Sequence, residues 1–180
     1  EFGTFNLHAS LLPHYRGAAP IHWAIINGET KTGVTTFFID EKIDTGAIIM
    51  NETVSIEKNA TVGQLHDKLM DIGSELVLKT VKQIESDTAT TTIQTKTENL
   101  KTAYKLDKEN CKIDWSASLD SIYNKIRGLN PFPGAWCYLD NNSDEKLAVK
   151  IFDVKKSEED HEHKIGSAIS SKEELKIACT

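Results

Sequence analysis

Between Thr88 and Thr102 the chain carries seven threonines and few apolar side chains. No apolar stripe of a helix runs through this stretch, and it reads as an extended, solvated connector. It divides the 180 residues into a first unit over 1–87, a Thr-rich linker over 88–105 and a second unit over 106–180.

The first unit is predicted to be α/β. Thr4 to Leu7 reads as the end of a strand. Ala18-Ala19-Pro20-Ile21 opens a helix, because proline in a first turn gives up an N–H that has no partner there. The helix runs to about Asn27 and Gly28 ends it. Val34–Ile39 and Ala47–Ile56 are β-branched and read as strands, with a turn at Ile43-Asp44-Thr45-Gly46 between them. Thr61-Val62-Gly63-Gln64 fits a capping box, and Leu65, Leu69, Ile72 and Leu76 then form one apolar stripe, which predicts a helix to about Glu85.

The second unit reads differently. Ser116 is expected to cap a helix carrying Leu119, Ile122 and Ile126, closed by Gly128. Asn130-Pro131-Phe132-Pro133-Gly134 is a rigid turn, since each proline locks one φ angle. Short strands follow at Ala135–Leu139, Lys146–Val154, Ile165–Ile169 and Leu175–Ala178. Short strands at close spacing predict a small antiparallel barrel or sandwich.

Composition narrows the function classes. No apolar stretch approaches the roughly 20 residues of a membrane span, and no secretory signal is visible. Cys111, Cys137 and Cys179 are far apart and odd in number, which points to reduced thiols in a cytoplasmic protein without a disulfide framework or zinc site. The balance of 21 basic and 27 acidic residues, net -6, argues against a general DNA or RNA binder and leaves room for a local basic patch. The first residue is Glu1 and an element is under way by Phe2, which suggests a piece of a longer chain.

Chemistry concentrates in "FNLHASLLPHYRG", residues 5–17. Asn6 and His8 are two apart on a strand, so both side chains leave the same face at its carboxyl end, where open α/β sheets place their ligands. A neutral amide donor beside an imidazole suits a site where a carbonyl oxygen gains negative charge. The plainer reading is a buried polar pair satisfied by backbone. A carboxylate to orient the imidazole comes from Asp40, at the end of a strand, or from Asp44, before Thr45-Gly46. The remaining histidines fit surface or helix positions, and the SEEDHEHK run with His161 and His163 fits a solvated loop better than a metal tract. Arg16 is in reach of an anion, though a single loop arginine is usually only exposed.

The segment "FNLHASLLPHYRGAAPI" resembles the signature of the folate-dependent formyltransferases, with "IDTGAII" following where that family keeps its Asp-containing loop, 36 residues from His8 to Asp44. Its RGAAPI form, and "KIDWSASLDSIYNKIRGLNPFPGAW" in the second unit, resemble the branch that acts on initiator methionyl-tRNA. The resemblance implies a partial doubly wound (Rossmann-like) formyltransferase domain followed by a truncated antiparallel, OB-like β-barrel of a tRNA-binding type. It implies transfer of a formyl group from 10-formyltetrahydrofolate to the α-amino group of methionyl-initiator tRNA, in translation initiation, through a tetrahedral oxyanion intermediate. Position by position, Asn6, His8 and Asp44 match its catalytic residues, and Ser10, Leu11, Leu12 and Pro13 match the segment lying against the folate. No metal, membrane or DNA is expected.

The departures are few. The family's first half and the tail of its second domain have no counterpart, His14 stands where a basic or polar residue is expected, and Ala47 where some members have Asp. A half sheet exposes an edge and an uncovered face, so the chain alone is expected to be inactive. Two alternatives remain: a relative acting on a sugar amine, a purine precursor or water, and a non-catalytic RNA-binding piece.

Overall fold

The computed structural model describes residues 3–95, 98–140 and 146–180. The chain begins with β1 (Phe5–His8), a short β2 (Arg16–Gly17) and α1 (Pro20–Ile26). Then come β3 (Lys31–Phe38), β4 (Ile48–Ser55) and α2 (Val62–Glu85). Strands β1, β3 and β4 form one sheet in the order β1-β3-β4, with His8 opposite Thr35 and Asn6 opposite Phe37. The architecture is mixed α/β, as expected. Both pairings in this sheet are antiparallel, however. Among the described residues parallel pairing is confined to β2 with β5 (Thr102–Ala103) and a single Lys112–Trp136 bridge. The parallel ladder of a doubly wound sheet is therefore not built from these strands, because the chain turns back through α1 and then through the Asp44 turn instead of crossing over.

The capping box forms as its residues dictate. Thr61 Oγ1 accepts from Gln64 N at 3.3 Å, and Gln64 Oε1 accepts from Thr61 N at 3.0 Å. From there α2 lays Val62, Leu65, Leu69 and Leu76 on Val34 and Val54 of the sheet and on Ile56 just after it, with Ala24 and Ile25 of α1 closing the cluster. Thr36 and Thr80 share a buried hydroxyl bond of 2.8 Å inside this contact. Leu76 is 2 % exposed, so Leu76→Ala is expected to cost about 2–5 kcal/mol, read by denaturant unfolding of the full-length protein.

The second unit starts with α3 (Leu119–Gly128). Its cap is Ser118, whose Oγ accepts from Ser121 N at 3.3 Å, and not Ser116. Ser116 is taken by Asp114, to which it donates both N–H and O–H, so the helix starts two residues later. Strand β6 (Ala135–Leu139) pairs with β7 (Leu147–Ile151), and β8 (Ala168–Ser170) with β9 (Leu175–Ile177), both antiparallel. These are two separate hairpins, and among the described residues no ladder joins them into a closed barrel. Closure needs a ladder between the two hairpins, and the described residues make none. Cys111, Ile113, Ile122, Ile126, Leu129 and Trp136 fill the small core beneath.

The Thr-rich stretch also departs from expectation. Its threonine side chains at 88 and 90–92 are exposed, but its backbone is not solvated throughout. Thr92 and Ile48 exchange two backbone hydrogen bonds of 2.8 Å, Tyr15 N donates to Lys101 O at 2.6 Å, and β5 lies along β2. Edge strands leave such partners open, and an extended β-branched segment takes them. Gly17, at φ 121°, sits so close to this segment that a Cβ there would be 2.4 Å from Ala103 O.

Candidate active site

The alternation of β1 sends Asn6 and His8 to one face, and the strand ends at His8. His8 is buried beside Thr35. Its Nε2 lies 2.8 Å from the carbonyl oxygen of Tyr15. A carbonyl only accepts, so Nε2 carries hydrogen. On the other side of the ring, Nδ1 is 3.6 Å from Asp44 Oδ2, longer than a hydrogen bond and close enough for an ion pair. Both ring nitrogens thus face acceptors. Asn6 is exposed, and its amide has no hydrogen-bond partner among the described residues.

Asp44 reaches the ring because of its turn. It has φ 56°, a left-handed conformation that a non-glycine residue adopts only under constraint. Its Oδ2 also accepts from Gly17 N at 2.9 Å, so β2 fixes the carboxylate from a second side. Asp40 has a different task. It is exposed and accepts from Thr45 Oγ1 at 2.7 Å and Lys42 N at 3.0 Å, and these bonds hold its carboxyl below the usual carboxylate range. It staples the turn that presents Asp44.

The loop after β1 is stiff for identifiable reasons. Ser10 is fully buried, with its hydroxyl on His14 O at 2.7 Å and its carbonyl accepting from Thr35 Oγ1 at 2.6 Å. Leu12 is buried and its N–H reaches Thr35 Oγ1 at 3.3 Å. Leu11 and Pro13 are half-buried. Tyr15, at φ 60°, turns its carbonyl to His8. Its hydroxyl donates to Glu29 Oε1 at 2.6 Å, and burial followed by this carboxylate pushes the phenol well above its ordinary pKa. Lys101 Nζ caps the same carboxylate.

Glu29 couples this cluster to pH. Burial alone would raise its carboxyl, but the bonds from Lys101 and Tyr15 outweigh that and leave it below its ordinary value. A carboxylate depressed in the folded state adds stability that is complete above its unfolded pKa, about 4.3, and fades as pH falls through the folded value. Glu29→Gln is therefore expected to flatten the acid limb of the stability curve below about pH 4. Urea midpoints measured from pH 3 to 6 check this.

One further residue binds the site together. Gln94 donates through Nε2 to Asp44 O at 3.0 Å and Gly46 O at 2.8 Å, and its Oε1 accepts from Arg16 Nη2 at 2.6 Å and Nε at 3.2 Å.

Residues 1–81 match the family described as Formyl transferase, and residues 105–180 match Formyl transferase, C-terminal domain. The methionyl-tRNA formyltransferase of Flavobacterium johnsoniae is 61% identical over 178 residues, covering 99% of this chain and 56% of that protein. The chain belongs to the formyl transferase family.

That of Flavobacterium psychrophilum is 56% identical over the same shares, so this formyl transferase chain spans about half the length of the curated relatives it matches. Among solved structures, it is similar to the N-formyltransferase from Helicobacter canadensis in complex with folinic acid and dTDP-3-aminofucose. The TM-score is 0.75 at 25% identity, over 97% of this chain and 62% of that one.

Within the formyl transferase chain, the structure brings His8 and Asp44 together and leaves Asn6 exposed on the same strand face. Sequence reasoning missed Gly17 N–H, the Tyr15 carbonyl and Gln94. The first two are backbone groups that no side-chain pattern reveals. Gln94 had one available signal, as a long amide within a run of threonines. Arg16 is half-buried and bound to Gln94 rather than merely exposed.

The other titratable groups lie elsewhere. His22 donates to Phe132 O at 3.1 Å and burial lowers its pKa. His66 is exposed beside Asp67. His161 meets Cys179 O at 3.0 Å. Among the described residues no cluster of three His, Cys, Asp or Glu side chains could hold a metal ion. Burial pushes the Cys111 and Cys137 thiols up, which makes them poor nucleophiles. No described helix is long and apolar enough to cross a membrane.

Proposed function

We propose that the protein containing this chain transfers the formyl group of 10-formyltetrahydrofolate to the α-amino group of methionyl-initiator tRNA, in the cytoplasm, at the start of translation. The single observation carrying the reading is the His8–Asp44 pair at the end of β1, 3.6 Å apart, with Asn6 exposed on the same face. The amine attacks the formyl carbon and the carbonyl electrons move onto oxygen. Asn6 Nδ2–H and the His8 ring, placed between Tyr15 O and Asp44, stabilise that oxyanion. The amine gives up its proton, which Asp44 takes through a water, and collapse of the tetrahedral intermediate breaks the bond to N10, which gains a proton. Leu11 and Pro13 border the folate, while Ser10 and Leu12 shape the loop from inside.

Two further observations favour charged tRNA as the acceptor. The first is the identity to enzymes named for that substrate. The second is a gathering of lysines around β6. Lys108 and Lys112 lie 5.1 and 5.6 Å from the Trp136 ring, Lys125 Nζ bonds Lys112 O, and Lys150 stands opposite Trp136. A lysine-rich face with the exposed Tyr138 ring beside Lys112 suits a phosphate backbone despite the acidic total. In this reading the three-stranded sheet is the antiparallel flank of a doubly wound sheet, and the hairpins belong to an OB-like barrel.

The test offers the full-length protein 10-formyltetrahydrofolate with either charged initiator tRNA or a nucleotide-linked amino sugar. Formylmethionine on the tRNA is expected. A formylated sugar with unmodified tRNA would overturn the assignment of the acceptor.

A further inference from the structure

We propose that Gln94, which lies in the Thr-rich stretch outside the catalytic set, is a positioning residue for the Asp44 carboxylate. The inference rests on the proposed role of Asp44. Asp44 holds a left-handed backbone at φ 56° without being glycine, and such a conformation persists only where the surroundings over-determine it. The surroundings in question are few. Gly17 N holds the side-chain oxygen at 2.9 Å. The two carbonyls that bracket the turn, Asp44 O and Gly46 O, point at Nε2 of Gln94 at 3.0 and 2.8 Å and have no other donor among the described residues. The same amide accepts from Arg16, whose neighbour in sequence is Gly17. Gln94 therefore closes a ring of contacts: Arg16-Gly17 to the carboxylate, the carboxylate's own turn to Gln94, and Gln94 back to Arg16.

Only a primary amide fits this task. It must give two hydrogens to two carbonyls and receive two from one guanidinium, and a side-chain amide has that inventory in one plane. A carboxylate of the same shape would bind Arg16 well and set bare oxygens against both carbonyls. An ammonium would meet the guanidinium as a like charge. Gln94 is itself fixed by its chain, since the Thr92–Ile48 bridge anchors the backbone two residues before it. The residues flanking it, Ile93 and Thr95, are exposed, so this one side chain turns inward. The stretch that joins the two units thereby supplies part of the frame in which His8 and Asp44 meet.

The test uses the full-length enzyme with three variants, Gln94→Ala, the isosteric Gln94→Glu and, as control, Asp44→Asn. A displacement of about 1 Å at a reacting group can cost up to 10²-fold in rate. Gln94→Ala and Gln94→Glu are expected to lower kcat by about 10-fold or more, with both KM values within about 2-fold and thermal midpoints near that of the parent. Wild-type kcat in both, or variants that simply unfold, overturns the proposal, because a merely structural tie would move stability and leave kcat per folded molecule intact. The control separates the two readings. If Asp44→Asn is inactive while both Gln94 variants turn over normally, only the positioning role fails. If Asp44→Asn itself retains full activity, the catalytic reading fails and the positioning role goes with it.

Discussion

Under the proposed formyl transfer, His8→Ala and Asn6→Ala in the full-length protein are each expected to lower turnover by about 10²–10³-fold, the usual loss on removing one group that stabilises an oxyanion. The two variants differ in what else they disturb. Asn6 is exposed and makes no side-chain hydrogen bond among the described residues, so Asn6→Ala should leave the thermal midpoint unchanged within about 0.5 kcal/mol of stability. His8 is buried, and its ring occupies the space between Tyr15 O and Asp44 Oδ2. Its removal leaves both oxygens facing a gap that water can fill, so a modest loss of stability is expected beside the large loss of rate. Steady-state kinetics with charged tRNA and a thermal melt on the same samples separate the two effects. Near-normal turnover in both variants would show that neither group holds the developing charge.

Gly46→Ala is expected to cost turnover on a similar scale although Gly46 touches no reacting group. The backbone passes so close to β3 at this point that an added Cβ would fall 1.6 Å from Phe38 O. No side chain can yield there, since the obstacle is backbone. The turn must move outward, against the Phe38 N to Ala47 O bond of 2.9 Å and the Gln94 bond to Gly46 O. Asp44 lies two residues away, and a shift of about 1 Å at its carboxylate is enough for a loss on the order of 10² in kcat. The midpoint of unfolding should fall as well, because the first pairing of β3 with β4 after the turn is disrupted. A Gly46→Ala enzyme with ordinary turnover would mean that the site does not depend on the present placement of this turn.

Much of the local structure was legible from spacing. The capping box at Thr61 and the stripe Leu65, Leu69, Ile72 and Leu76 delimit α2, because a helix end must satisfy its own orphan donors and a period of 3.6 must find a core. Proline 20 marks α1 for the same local reason. Ser116 was the wrong cap because a competing local bond to Asp114 starts the helix later, a contest that a cap pattern does not weigh.

The site divides along the same line. Asn6 and His8 share a strand face by the pleat alone, so their common orientation is a property of the sequence. Which aspartate faces the ring is not, because Asp40 and Asp44 sit in one turn and only its path past β2 aims Asp44 at His8. The Thr-rich stretch makes the point again. Its composition predicts a solvated connector, but composition says nothing about backbone groups, and those pair with β4 and β2. Local periodicity, capping and turn chemistry are short-range and are written in neighbouring residues. The imidazole, the carboxylate and the amide that frames them come from positions 8, 44 and 94, and only the folded chain, satisfying buried polar groups across those separations, brings them to one place.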